Sequence, residues 1–124
     1  MRLLICGDRH WSEIKPIRRE VIRLNGPRKY PSGVIEVIIS GHAPGADILG
    51  EFVAEELEIP TEVYPAQWDV YGRAAGPIRN QQMLDEGKPT HVLAFHPNLD
   101  KSKGTKDMVT RAMKAGVKVE AFRE

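Results

Sequence analysis

The sequence predicts an α/β domain: a three-layer sandwich in which helices cover both faces of a mainly parallel sheet of about five strands. Three observations carry this expectation. Short apolar runs alternate with amphipathic stretches along the chain, and such alternation builds parallel sheets with right-handed crossovers. The short runs are apolar nearly throughout, as strands buried on both faces are. The amphipathic stretches, about 10–14 residues each, are long enough to cover a sheet. A length of 124 residues suits a single domain over 1–124.

Each element follows from local pattern. "RLLIC" (2–6) is an apolar run that stops at Gly7 and reads as the first strand. Ile14, Ile17, Val21 and Leu24 recur at helical spacing, with Ser12 in position to cap and Pro16 in the first turn, where a missing N–H does little harm. Asn25, Gly26 and Pro27 end that helix, and 28–33 is a loop. The β-branched "VIEVIIS" (34–40) is the second strand. Ile48, Leu49, Phe52, Val53 and Leu57 form one helical face that ends before Pro60. "TEVYPA" (61–66) is the third strand, and 67–76 is a long connection. Pro77 falls where proline is favoured, at the first position of a helix running to about Glu86. "HVLAFHP" (91–97) is the fourth strand. Thr105 caps a helix carrying Met108, Val109, Ala112 and Met113, which stops at Gly116, and "VKVEAF" (117–122) is the fifth strand.

Composition narrows the classes. The chain is 41% hydrophobic and 28% charged, which allows a real core and argues against disorder. No apolar run approaches the roughly 20 residues that a bilayer requires, so no membrane partner is expected. "MRLLICGD" is too short for a signal peptide. A single cysteine, Cys6, excludes an intrachain disulfide and suggests a reducing, cytoplasmic setting. The net charge of +1 gives no general drive toward nucleic acid, which is not an expected partner. Residues 15–29 hold Lys15, Arg18, Arg19, Arg23, Arg28 and Lys29 against Glu20 alone. They form either a solvated face or a contact for a phosphate-rich partner.

In parallel sheets, ligands bind beyond the carboxyl ends of the strands. That rule selects the loops 7–11, 41–47, 66–76 and 96–105, where glycines gather with Asp8, Arg9, Asp47, Trp68, Tyr71 and Arg73. "SGHAPGAD" (40–47) ends a strand and opens a helix near Ala46. Gly41 and Gly45 permit close approach, and the helix start offers free N–H groups to a phosphate or carboxylate. The same residues also describe a plain tight turn with Asp47 stabilising the helix start. The segment matches neither the Walker A pattern nor the dinucleotide G-x-G-x-x-G. The four histidines lack ligand spacing, so no metal is expected, and no cofactor is implied.

Taken in order, "ICGDRHW", "SGHAPGADILGEFVAEE", "PAQWDVYGRAAGPIRNQQML" and "VLAFHPNLDKSKGTKDMVTRAMKAGVKV" resemble the SLOG superfamily, and within it the YspA-like, cpYpsA-related branch. The resemblance implies a Rossmann-like fold and a site for a nucleotide or nucleotide-derived molecule. Members of this branch are found in phages and near bacterial conflict systems, and SLOG relatives often dimerise, so a homodimer is expected. More distantly, the chain is similar to the Lonely Guy phosphoribohydrolases, which cleave the N-glycosidic bond of nucleoside 5′-monophosphates. By that similarity Arg79 falls at the catalytic arginine, Gly104 and Thr105 at the end of the glycine loop, and Asp107 at the catalytic glutamate. The loop here has one glycine, the acid is one methylene shorter, and Asn80 replaces a lysine.

These residues support two readings. In the first, the protein binds a nucleotide-derived small molecule: Gly41, Gly45 and Ala46 of the 41–47 turn cradle phosphate beside Gly7, Asp47 accepts from a ribose hydroxyl or stabilises the helix start, and Arg9, Arg79 and Thr105 add donors. Arg79, expected in the first turn of its helix, is disfavoured there by the dipole, which points to a phosphate partner. Asn80 is placed to meet a ribose or base. Trp68 and Tyr71 stack on a base, or else cap the core or a dimer contact. Asp8 and Arg9 pair with one another, or Arg9 meets phosphate. Trp11 packs on the first helix. The alternative is an N-glycosidase in which Arg79 and Asp107 are catalytic. Binding of single-stranded DNA, as in the DNA-processing branch of SLOG proteins, fits the near-neutral charge poorly.

Overall fold

A computed structural model describes residues 1–124. The five apolar runs become five strands: β1 (Arg2–Gly7), β2 (Val37–Ser40), β3 (Thr61–Val63), β4 (His91–Phe95) and β5 (Lys118–Phe122). They form one all-parallel sheet in the order β3-β2-β1-β4-β5. The main helices are α1 (Ile14–Asn25), α2 (Ala46–Glu56), α4 (Ala75–Gln82) and α5 (Gly104–Lys114). A single turn, α3 (Trp68–Tyr71), precedes α4. The result is the expected Rossmann-like three-layer sandwich.

Alternation along β1 sorts the core. Leu3 and Ile5 face α1 and α2, joining Ile17, Val21, Val53 and Phe95 in one buried cluster. Leu4 and Cys6 face the other way, with Ile39, Ala94, Met83, Met108 and Ala112. Phe95 is fully buried, edge-on to Trp11 and stacked on Phe122 at centroid distances of 5.6 and 5.2 Å. Trp11 thus packs against Phe95 of β4 as well as lying in the cluster that holds Ile17 and Val21 of α1. The chain crosses faces between β3 and β4, so the order reverses between β1 and β4. A crevice at the carboxyl end of the sheet is the consequence of such a switch point.

Several boundaries move. β2 begins at Val37 because Ile35 is held outside the sheet, its N–H donating to Asn25 Oδ1 at 2.9 Å. β3 stops at Val63. The connection 67–76 is not open loop: α3 and a 3₁₀ turn (Gly72–Ala74) lead directly into α4. As a result α4 starts at Ala75, Pro77 is its third residue, and Arg79 lies in the second turn. The helix dipole, whose effect falls off within the first turn, does not disfavour Arg79 at that position. A π-helical turn (Met83–Gly87) extends α4 and seats Met83 in the core. α1 begins after Glu13 with no side-chain cap, so Ser12 does not cap it. At α5 the capping oxygen belongs to Ser102, which accepts from the N–H groups of Thr105 and Lys106 at 3.0 and 3.4 Å; Thr105 is buried inside the first turn.

The basic stretch 15–29 resolves mostly into ion pairs. Arg18 makes two hydrogen bonds to Glu56, Arg19 and Arg23 both meet Glu20, Arg23 also meets Glu120, and Lys29 lies 3.5 Å from Glu58. No helix is long and apolar enough to cross a membrane.

Candidate functional site

Gly7 ends β1, while Gly41 and Gly104 follow β2 and β4, so all three lie at the carboxyl edge of the sheet. The loops between them are joined by backbone contacts. The N–H of Ala46, first residue of α2, donates to the carbonyl of Asp8 at 3.2 Å. Gly45 has φ +82°, and a Cβ there would strike the carbonyl of Asp8 and the backbone of Arg9. The glycine in "SGHAPGAD" is thus required by the chain's own crossing. One N–H of the helix start already serves that crossing.

Gly41 answers a different need. It is buried, and a Cβ on it would meet Arg79 Nη1 and Cζ, with Asp47 Oδ2 at 2.9 Å. Its carbonyl accepts from Arg79 Nη1 at 2.5 Å, and the carbonyl of Tyr64 lies 3.4 Å from the same nitrogen. Arg79 Nε donates to Asn80 Oδ1 at 3.1 Å. The partly buried guanidinium is therefore fixed by neutral oxygens, and it forms no ion pair with any carboxylate. Its Nη2 has no protein partner. No buried side-chain nitrogen or oxygen lacks a partner, so Nη2 is open to solvent.

Asp47 lies behind the loop, 5% exposed, with Oδ2 accepting from the N–H of Ala43 at 3.2 Å. Burial pushes its carboxyl up to about 6; the Ala43 N–H and the Arg79 charge oppose that rise, and Glu51 adds to it. Burial likewise pushes the Arg79 guanidinium down, against the field of Asp47. The Cys6 thiol is pushed up strongly by burial and by Asp47, so it is packing rather than a nucleophile.

Asn80 does not face outward. It is buried and reaches Asp107 Oδ2 at 2.9 Å and the Gly104 carbonyl at 3.3 Å. Asp107 also accepts from Arg111 Nε at 2.8 Å. The Asp8 carboxylate caps its own turn, accepting from the N–H of His10 at 3.0 Å, so no Asp8–Arg9 pair forms; Arg9 is exposed and free of side-chain partners. Trp68 and Tyr71, at 58% and 47% exposure, do not cap the core. Tyr71 lines a groove of about 470 Å³ with Pro65, Ala75, Ile78 and Arg79, which adjoins the guanidinium. Gly104 faces open space.

Sequence reasoning passed over three residues that brace the 41–47 loop. Ser40, fully buried at the end of β2, accepts from the N–H of His42 at 3.1 Å and donates to Glu51 at 2.8 Å. His42 holds a positive φ of 59°, with its ring on Glu51 at 2.9 Å. A lone serine closing an apolar strand was the available signal.

No family model matches the chain. The chain is 31% identical over 126 residues to the Gene 61 protein of Mycobacterium phage D29, covering 98% of this chain and 95% of that protein. Among solved structures it resembles DNA processing protein A (DprA) from Streptococcus pneumoniae, with a TM-score of 0.64 at 20% identity. That match covers 97% of this chain and 49% of DprA, so the chain spans about half the length of that protein. The likeness is one of fold.

Proposed function

We propose that this chain, which belongs to the family of the Gene 61 protein of Mycobacterium phage D29, binds a nucleotide or nucleotide-derived small molecule at the carboxyl edge of its sheet, as a YspA-like SLOG module would. One observation carries the reading: a partly buried guanidinium, Arg79, held by neutral oxygens, without a carboxylate, and with Nη2 open to solvent. Burying a cation with no carboxylate in direct contact is costly, and the field of Asp47 offsets that cost only in part. A phosphate in bidentate contact with Arg79 supplies the rest. Tyr71, on the adjoining groove, offers a face for a base. In this reading Gly104, Thr105, Gly41 and the start of α2 shape the pocket wall, and Arg9 reaches in from solvent. A homodimer belongs to the same proposal, and sedimentation equilibrium decides it.

The experiment is equilibrium dialysis against purine and pyrimidine nucleoside 5′-monophosphates, with free base assayed in the same samples. Binding without base release is the expected result. Release that disappears in Asp107→Asn would replace binding with N-glycosidase chemistry. Asp107 Oδ2 is already shared by Asn80 and Arg111, which favours an anchoring role over a catalytic one.

A second reading draws on the fold neighbour, a DNA-processing protein by name. Lys101, Lys103 and Lys106 lie near the same edge without ion pairs, and Trp68 and Tyr71 are exposed. Cations with exposed aromatics suit a single strand. Anisotropy with a labelled oligothymidine separates the two: strong binding that falls steeply with salt favours DNA.

A further inference from the structure

Asn80 is 4% exposed, and the chain itself occupies both ends of its amide. Oδ1 accepts from Arg79 Nε, while Nδ2 donates to Asp107 Oδ2 and to the Gly104 carbonyl. An asparagine amide has one carbonyl and two N–H groups, so little is left to offer a ligand. The network then closes on itself. Asp107 accepts from Arg111 Nε, and Arg111 Nη1 donates to Gln81 Oε1 at 2.9 Å, back on α4. Adjacent residues of one helix thus reach opposite ways across the end of β1. Arg79 holds the loop after β2 through the Gly41 carbonyl, and Asn80 holds the first turn of α5.

We propose that Asn80 is a positioning residue, which locks the guanidinium of Arg79 from behind through Nε and ties it to the start of α5 through Asp107. The proposal rests on Arg79 being the anion site. An arginine side chain samples many rotamers when free. One held at Nε by a buried acceptor, itself held by a charged partner, presents Nη2 in a fixed direction. Preorganisation of that kind raises affinity without adding a contact to the ligand. The residue type follows from the geometry. Aspartate at 80 would set two carboxylates face to face, and alanine would leave Nε without its acceptor and Asp107 with Arg111 alone.

The test reads Arg79 directly. In a ¹H–¹⁵N spectrum of the intact chain, the Arg79 Nε–H peak is identified by its disappearance in Arg79→Lys. In the unsubstituted protein this proton should exchange more slowly with water than those of the exposed arginines; equal exchange overturns the proposal without any variant. In Asn80→Ala and the milder Asn80→Ser, checked for fold by circular dichroism, the peak should move toward the position of a free arginine. Calorimetry with adenosine 5′-monophosphate should show at least a tenfold loss of affinity, with adenosine changed less than twofold. A merely structural role would weaken both ligands alike, and that result also overturns it. If the peak moves but the unsubstituted protein binds no monophosphate, Asn80 positions Arg79 as stated and the phosphate reading is what fails.

Discussion

Asp47 is a carboxylate kept where folding disfavours it. Its ordinary value of 3.8 rises to about 6 through burial. Between about pH 4 and pH 6, the folded chain holds a proton at Asp47 that the unfolded chain has released. Stability from this group is therefore greatest below pH 4 and falls as pH rises through 6. Asp47→Asn should stabilise the chain at pH 7, by about 3 kcal/mol at 1.36 kcal/mol per pK unit. Denaturant melts of both proteins from pH 4 to 8 check this, and the difference between the two curves should grow up to about pH 6 and then level off. A flat difference would mean that the carboxylate is well solvated. At Gly41 a methyl group would meet the far end of the Arg79 side chain, which can shift. Gly41→Ala should keep the fold and weaken monophosphate binding about tenfold, the scale of one charge-assisted hydrogen bond. Gly45 differs, because a side chain there collides with backbone at positive φ, so its replacement tests folding rather than binding.

At the scale of elements, Ser102 shows what a local pattern conceals. Thr105 stood in a good place to cap α5, yet Ser102 does so and Thr105 is buried. Ser102→Ala should cost about 1 kcal/mol, the usual value of a cap, and Ser102→Thr should recover most of it in urea denaturation. No loss in the alanine variant would show the cap to be dispensable. The strands were legible because buried parallel strands are apolar on both faces, as Leu3, Leu4, Ile5 and Cys6 are. The start of α4 was not. Pro77 looked like a first helical residue, but Gly72, at φ +56°, closes α3 and the 3₁₀ turn carries the chain into α4 two residues earlier. Ser40 and Glu51, eleven positions apart in sequence, brace one loop, and neither advertises the other.

For the whole molecule, the alternation of elements gave the layers, whereas the order β3-β2-β1-β4-β5 emerged only from packing. That order places the ends of β1, β2 and β4 side by side, and it brings together residues that sequence reasoning had marked in separate loops. The partners of Arg79 were out of reach for the same reason. The Gly41 carbonyl is 38 positions away, and nothing local announces that a cation will sit on it. Asn80 looked like a ligand contact because it adjoins Arg79; only its burial reveals the inward role.

The proposed site depends on Arg79 as the anchor of an anionic ligand. Isothermal titration of the intact chain and of Arg79→Ala with adenosine 5′-monophosphate and with adenosine measures this directly. In Arg79→Ala the monophosphate should lose about 1.5–3 kcal/mol of binding free energy, the range for hydrogen bonds to charged groups, while adenosine is little affected. A monophosphate that binds both proteins equally, or adenosine losing as much as the monophosphate, would contradict it.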